Sequence, residues 1–300
     1  MGRCHSINAS RQSAEVVQCI TSVLPYPSQL GQSQVLSIGN VFKSSVIALL
    51  YFSHIPTVIA APVVDHWPVI QQTFFAGRTV QLSPAYIQIE APVQAEDAAV
   101  VPVAIKIDIP DVHIARIYLF TDANPIVHTA TLSPQQPVHQ FKLATRIRLE
   151  SNSQFRVIVE DSQGHLFMHA VPIKTPGGGC GGGITADEAM LRATSGEMKV
   201  QPHWLAAPAL PEISFYIKHP MRTGFERTTQ GYYAKAWYIN HLAFQLNHQA
   251  FLKAELGPGI SANPYLRFAL TNIDSAELFV EAKDNEGKVF HQQFMVIRQP

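Results

Sequence analysis

Residues 100–109 read VVPVAIKIDI, and Val101, Val103, Ile105, Ile107 and Ile109 fall on every second position. Successive side chains of an extended chain point to opposite faces, so these five share one face of a half-buried strand. Residues 141–150, FKLATRIRLE, repeat the alternation: Phe141, Leu143, Ile147 and Leu149 point inward, and Lys142, Arg146, Arg148 and Glu150 point toward water. Charge confined to one face marks an antiparallel sheet with a single solvated side. The stretches ISFYIKH (213–219), WYINHLAFQLN (237–247), PYLRFAL (264–270) and ELFVEAK (277–283) keep the same period. They nominate Phe215, Ile217, Leu266, Phe268, Leu278 and Val280 as core.

The two sets of strands end alike. FRVIVEDSQGHLFMHAVPI (155–173) closes the first, and ELFVEAKDNEGKVFHQQFMVI (277–297) closes the second. Each predicts a hairpin, through turns Asp161 to His165 and Asp284 to Lys288, with Gly164 and Gly287 at the matching position to take positive φ. Each set also carries an Asn-Pro break, at Asn124 and Asn263. The expectation is an all-β protein of two related immunoglobulin-like antiparallel β-sandwich domains, 62–175 and 197–300, joined by a Gly-rich arm and a short helix over 176–196. In TADEAMLRATSG (185–196), Thr185 and Glu188 fit a capping box and Gly196 fits the stop.

Composition limits the function. The 300 residues carry 22 lysines and arginines against 22 aspartates and glutamates, so no net field attracts nucleic acid or an anionic membrane. The partners expected are proteins or small molecules. The run KSSVIALLYFSHIPTVIAAP has a cation at Lys43, an apolar stretch from Val46 to Phe52, a breaker at Pro56 and small residues around Ala60. That is the layout of a cleaved secretory signal, and it predicts a leader over 1–61 and a periplasmic product. His54 and Pro56 interrupt the run well short of the ~20 apolar residues that a membrane span requires. Cys4 and Cys19 precede the cut, so the exported chain would keep Cys180 as its single cysteine.

Cys180 lies in TPGGGCGGGIT (175–185), between Gly177, Gly178 and Gly179 on one side and Gly181, Gly182 and Gly183 on the other. A catalytic cysteine needs a rigid support beside a base, and glycine on both flanks supplies the opposite. Metal binding is not indicated, because one cysteine with scattered His165, His169 and His203 gives no ligand spacing. Two readings remain: a linker with an incidental thiol, or a mobile carrier whose exposed thiol takes a covalent group and presents it to several enzymes.

GGGCGGG resembles the carrier motif of the sulfur-carrier family SoxY, as do AEDAAVVPVAIKI (95–107) and DANPIVHTATLSP (122–134). The second half is similar to SoxZ, the partner of SoxY, in IKHPMRTGFE (217–226) and LGPGISANPYLRFAL (256–270). The order of motifs resembles fused SoxYZ-like carriers described as associated with quinoprotein dehydrogenases. The resemblance implies a non-catalytic periplasmic carrier with Cys180 as the sulfur-bonding position and Gly177–Gly179 with Gly181–Gly183 as its arm. His219, Pro220, Met221, Thr223 and Gly224 then form an interface or structural motif. It implies no cofactor and no metal. The implied partners are sulfur-oxidising enzymes or cytochromes, or a quinoprotein dehydrogenase, for which a pure adaptor role is the alternative. In SoxY the cysteine is near the chain end, whereas 120 residues follow Cys180.

Overall fold

The period-two stretches become strands whose alternate residues are buried. The structure, a computed structural model, describes residues 63, 65–184, 187–205, 210–270 and 275–298. The leader over 1–61, with its Lys43 to Ala60 pattern and Cys4 and Cys19, lies outside the described residues. Among the described residues no helix is long and apolar enough to cross a membrane.

In the first half the strands are β1 (Val80–Leu82), β2 (Ile87–Glu90), β3 (Val101–Asp108), β4 (Ile114–Thr121), β5 (His128–Pro134), β6 (Gln140–Ile147), β7 (Ser153–Asp161) and β8 (Leu166–Ile173). In the second they are β9 (Met198–His203), β10 (Glu212–Ile217), β11 (Ile239–Leu246), β12 (Gln249–Leu256), β13 (Tyr265–Ala269), β14 (Ser275–Asp284) and β15 (Val289–Ile297). All five apolar residues of 101–109 are buried, as are all six residues nominated from the second half.

Two sheets contain these strands, in the orders β1-β8-β7-β4-β5-β12-β11-β14-β15 and β2-β3-β6-β13-β10-β9. Apart from β1, which runs parallel to β8, the pairings are antiparallel. Setting β1 aside, strands β2 to β8 match β9 to β15 one for one, and each sheet order reads the same from either end under that matching. The halves meet where equivalent strands pair: β5 on β12, with Ala130 opposite Leu256, and β6 on β13, with Leu143 opposite Phe268. The sandwiches expected from the sequence are therefore joined strand to strand, and one hydrophobic core runs through both.

The two terminal turns are chemical copies. Asp161 Oδ1 accepts from the N–H groups of Gln163 and His165, and Asp284 Oδ1 accepts from those of Glu286 and Lys288. Gly164 and Gly287 hold φ of 85° and 92°. The Asn-Pro breaks also correspond: Asn124 bonds Arg148 O and the Glu150 N–H, while Asn263 accepts from the His219 N–H.

The described residues also hold two helices. Helix α1 (Trp67–Phe75) was not legible from strand periodicity; it lays Ile70 and Phe75 on Phe120, Ile158, Leu166 and Met168, the outer face of β4, β7 and β8. Helix α2 (Glu188–Thr194) is where the sequence placed a helix, but its cap is Asp187, whose carboxylate accepts from the Ala189 and Met190 N–H groups. The expected Thr185 cap lies outside the described residues.

Candidate functional site

The arm lies docked. Thr175 to Gly179 run beside the chain leaving β6: Gly178 N–H donates to Glu150 O at 2.8 Å and Gly179 N–H to Leu149 O at 3.0 Å. A Cβ on Gly179 would stand 2.1 Å from Ala98 O, so this glycine is required by close approach of two backbones rather than by mobility. Beyond the cysteine the arm crosses to the second half. Arg227 N–H donates to Gly182 O at 2.7 Å and Ile184 N–H to Arg227 O at 2.9 Å, with Gly182 at φ 113°.

Cys180 is 3% exposed, which corrects the expectation of a presented thiol. Its N–H donates to Glu150 Oε2 at 3.1 Å, and its carbonyl accepts from Thr223 Oγ1 at 2.6 Å. Glycine flanks permit movement but do not compel it; here their bare backbones allow the arm to lie flat on its neighbours and form main-chain bonds. Around the thiol, Asn124, Pro125, Ile126, Thr223, Phe225 and Pro258 line a niche of ≈ 10 Å³, about the minimum that one water needs. Burial, with the nearby Glu150 and Glu226 charges, pushes the thiol up to about 12, and the opposing pull of Arg148 is too small to offset them.

The residues of HPMRTGFE form the floor under the arm. Arg148, expected to face water, is 7% exposed. Strand β6 ends at Ile147, so the sheet alternation no longer sets its direction, and its guanidinium reaches Glu226 at 3.3 Å and Pro220 O at 3.0 Å across the seam between halves. Glu226 also accepts from the Thr223 and Gly224 N–H groups. Met221 is fully buried at φ 49°, and its Sδ accepts from the Ile239 N–H. His219 packs edge-on to Trp237 with centroids 4.7 Å apart. Burial lowers its imidazole to about 4; Asp284 and Glu286 oppose the fall while Arg192 and Lys288 add to it.

The structure thus gathers Cys180, its glycines and the His219 to Gly224 motif into one seam site. Sequence reasoning missed Glu150, Arg148 and Glu226. The last two were visible only as charges after a strand and after the motif. His165, His169 and His203 do not join them: they bond Asp161, Ile87 O and Ser214 respectively. Among the described residues no three His, Cys, Asp or Glu side chains are grouped to hold a metal.

The family model "Sulfur oxidation protein SoxY" matches residues 71–180, and "Sulphur oxidation protein SoxZ" matches residues 205–295. No curated protein matches the chain. Among solved structures, the sulfur carrier protein SoxY from Chlorobium limicola f thiosulfatophilum is 27% identical over 36% of this chain and 94% of its own, with a TM-score of 0.31. A superoxide reductase (neelaredoxin) from Ignicoccus hospitalis is 16% identical over 31% of this chain and 84% of its own, with a TM-score of 0.26. The two family matches follow one another along the chain and divide at the arm, the first ending on Cys180 itself. The chain is accordingly a fused SoxYZ-like protein, with residues 71–180 belonging to the SoxY family and residues 205–295 to the SoxZ family.

Proposed function

We propose that this chain is a periplasmic carrier, without catalytic activity of its own, that holds a sulfur-containing group covalently on Cys180 and passes it between sulfur-oxidising enzymes or cytochromes. The observation that supports this most is the placement of Cys180: it is the free cysteine among the described residues, it ends the SoxY match, and its arm is clasped by the motif loop of the SoxZ half. The docked arm is a resting state. With the thiol raised to about 12, roughly one in 10⁵ would be ionised at pH 7, so loading requires the arm to lift and regain an ordinary thiol near 8.5. Intact mass of the protein isolated from its own periplasm tests the reading; a sulfur adduct on Cys180 is expected, and a uniformly bare thiol would defeat it.

One observation favours a second reading. A buried, unionised thiol is also what an adaptor for a quinoprotein dehydrogenase would carry if its cysteine no longer reacted. Co-purification with such a dehydrogenase, unaltered by Cys180→Ser, would support the adaptor.

A further inference from the structure

At the C-terminal end of the arm a cleft of ≈ 370 Å³ opens between Gly183, Ile184, α2 and the segment from Lys218 to Arg222. Its lining holds three cationic side chains, Arg148, Lys218 and Arg222, against one carboxylate, Glu226. That carboxylate is already engaged by Arg148 and by two backbone N–H groups. Arg222 is 9% exposed, and one of its terminal nitrogens pairs with Glu188 on α2. Lys218 meets Glu197 at 3.9 Å, with both groups well exposed, so this pairing is weak.

Among the described residues, three nitrogens of the lining are buried without a hydrogen-bond partner: Arg148 Nε, Arg222 Nη2 and His219 Nε2. All three are donors. For the arginines this is intrinsic. For His219, which is 1% exposed, the Met221 N–H donates to Nδ1 at 3.2 Å, so the ring proton sits on Nε2. Buried donors without acceptors are costly, and acceptor-rich anions that carry no donors are the ligands that relieve such a set.

We propose that this cleft binds a small tetrahedral oxyanion through the Arg148 and Arg222 guanidiniums and the His219 Nε2–H. The three donors lie shielded from water with the arm down, and the arm's end forms part of the cleft wall. Lifting that end, where Gly183 and Ile184 form part of the lining, would open the cleft to the anion, so anion binding and arm release would favour each other, each by the same factor. Glu188 stays on Arg222 Nη1, which leaves Nη2 for the anion. The ion is a free solute, and the proposal holds whether or not Cys180 carries a group.

The test is titration of inorganic sulfate, against chloride at matched ionic strength, into full-length protein labelled with ¹⁵N-histidine. It is run on the wild type and on Cys180→Ser, so that loss of carriage and loss of this site remain distinguishable. A saturable movement of the His219 Nε2 resonance in both proteins is expected, with apparent affinity at least tenfold weaker in Arg222→Gln. In parallel, sulfate should accelerate alkylation of Cys180 in the wild type several-fold over chloride. An unmoved His219 resonance in the wild type overturns the proposal whatever the variants do. So does undiminished binding in a folded Arg222→Gln. Movement only when the thiol bears a sulfonate would assign the cleft to a bound group and defeat the free-ion proposal.

Discussion

Cys180 sets the energetics at the scale of single residues, because its thiol is packed. Replacing a buried sulfhydryl with a hydroxyl leaves a polar group in an apolar niche, so Cys180→Ser should cost about 1 kcal/mol, read as a lower urea midpoint at unchanged slope, with Cys180→Ala milder. An unchanged midpoint would mean that the thiol spends its time outside. His219 carries a pH dependence whose sign is fixed. Its folded pKa, about 4, lies below the ordinary 6.5, so the unfolded chain binds the proton first as pH falls. The contribution is fully present above about 6.5 and is lost on descent to about 4, by on the order of 2–3 kcal/mol. Urea midpoints between pH 7 and pH 4 should fall more steeply for the wild type than for His219→Gln; parallel curves would show that this imidazole is not the titrating group.

The arm is an element held by its neighbours' backbones, and its glycines are not equivalent. Gly179 faces Ala98 O so closely that a methyl group cannot fit without displacing main chain, whereas a Cβ on Gly183 meets nothing within 4 Å. Gly179→Ala should therefore release the arm and speed iodoacetamide alkylation of Cys180 by tenfold or more, while Gly183→Ala leaves the rate within about twofold. Equal rates for the two variants would deny that docking controls the thiol. The niche makes a related point: at ≈ 10 Å³ it has no room for a sulfur adduct beside the thiol. Capping Cys180 with a methylthio group should expose the arm to limited proteolysis near Gly181 to Gly183, and a capped arm as resistant as the free one would contradict this. Once lifted, an arm tethered at both ends travels as a loop; four residues from Pro176 to Cys180 reach roughly 14 Å. That geometry suits an open cleft on the partner.

For the whole molecule, the decisive feature is that equivalent strands of the halves pair with each other. Pairing β5 with β12 and β6 with β13 continues both sheets across the seam, and the buried Arg148–Glu226 pair crosses it as well. Neither half buries those edges alone, and exposed edges of this length are unstable to mispairing. Calorimetry should show one cooperative transition for the described body, with calorimetric and van't Hoff enthalpies in agreement. Two resolved transitions would show that the seam is weaker than its strand pairing indicates.

The amino-acid sequence by itself determined the strands, because burial on one face of a sheet imposes period two: 101–109 and 141–147 declare their inner residues outright. It also determined the twin turns, since an aspartate four residues ahead of its last acceptor bond and a glycine at positive φ form a local device. The existence of α2 and the candidacy of Cys180 were likewise local. Only the tertiary structure decided where those pieces meet. Arg148 looked solvent-facing because alternation was extended one residue past the end of β6, and its burial depends on Glu226, which is 78 residues away. Whether the glycine arm is free or docked is a contest between chain entropy and hydrogen bonds from Glu150, Thr223 and Arg227, all supplied by other parts of the fold. Glycine content fixes the first term of that contest, and only the folded neighbours fix the second.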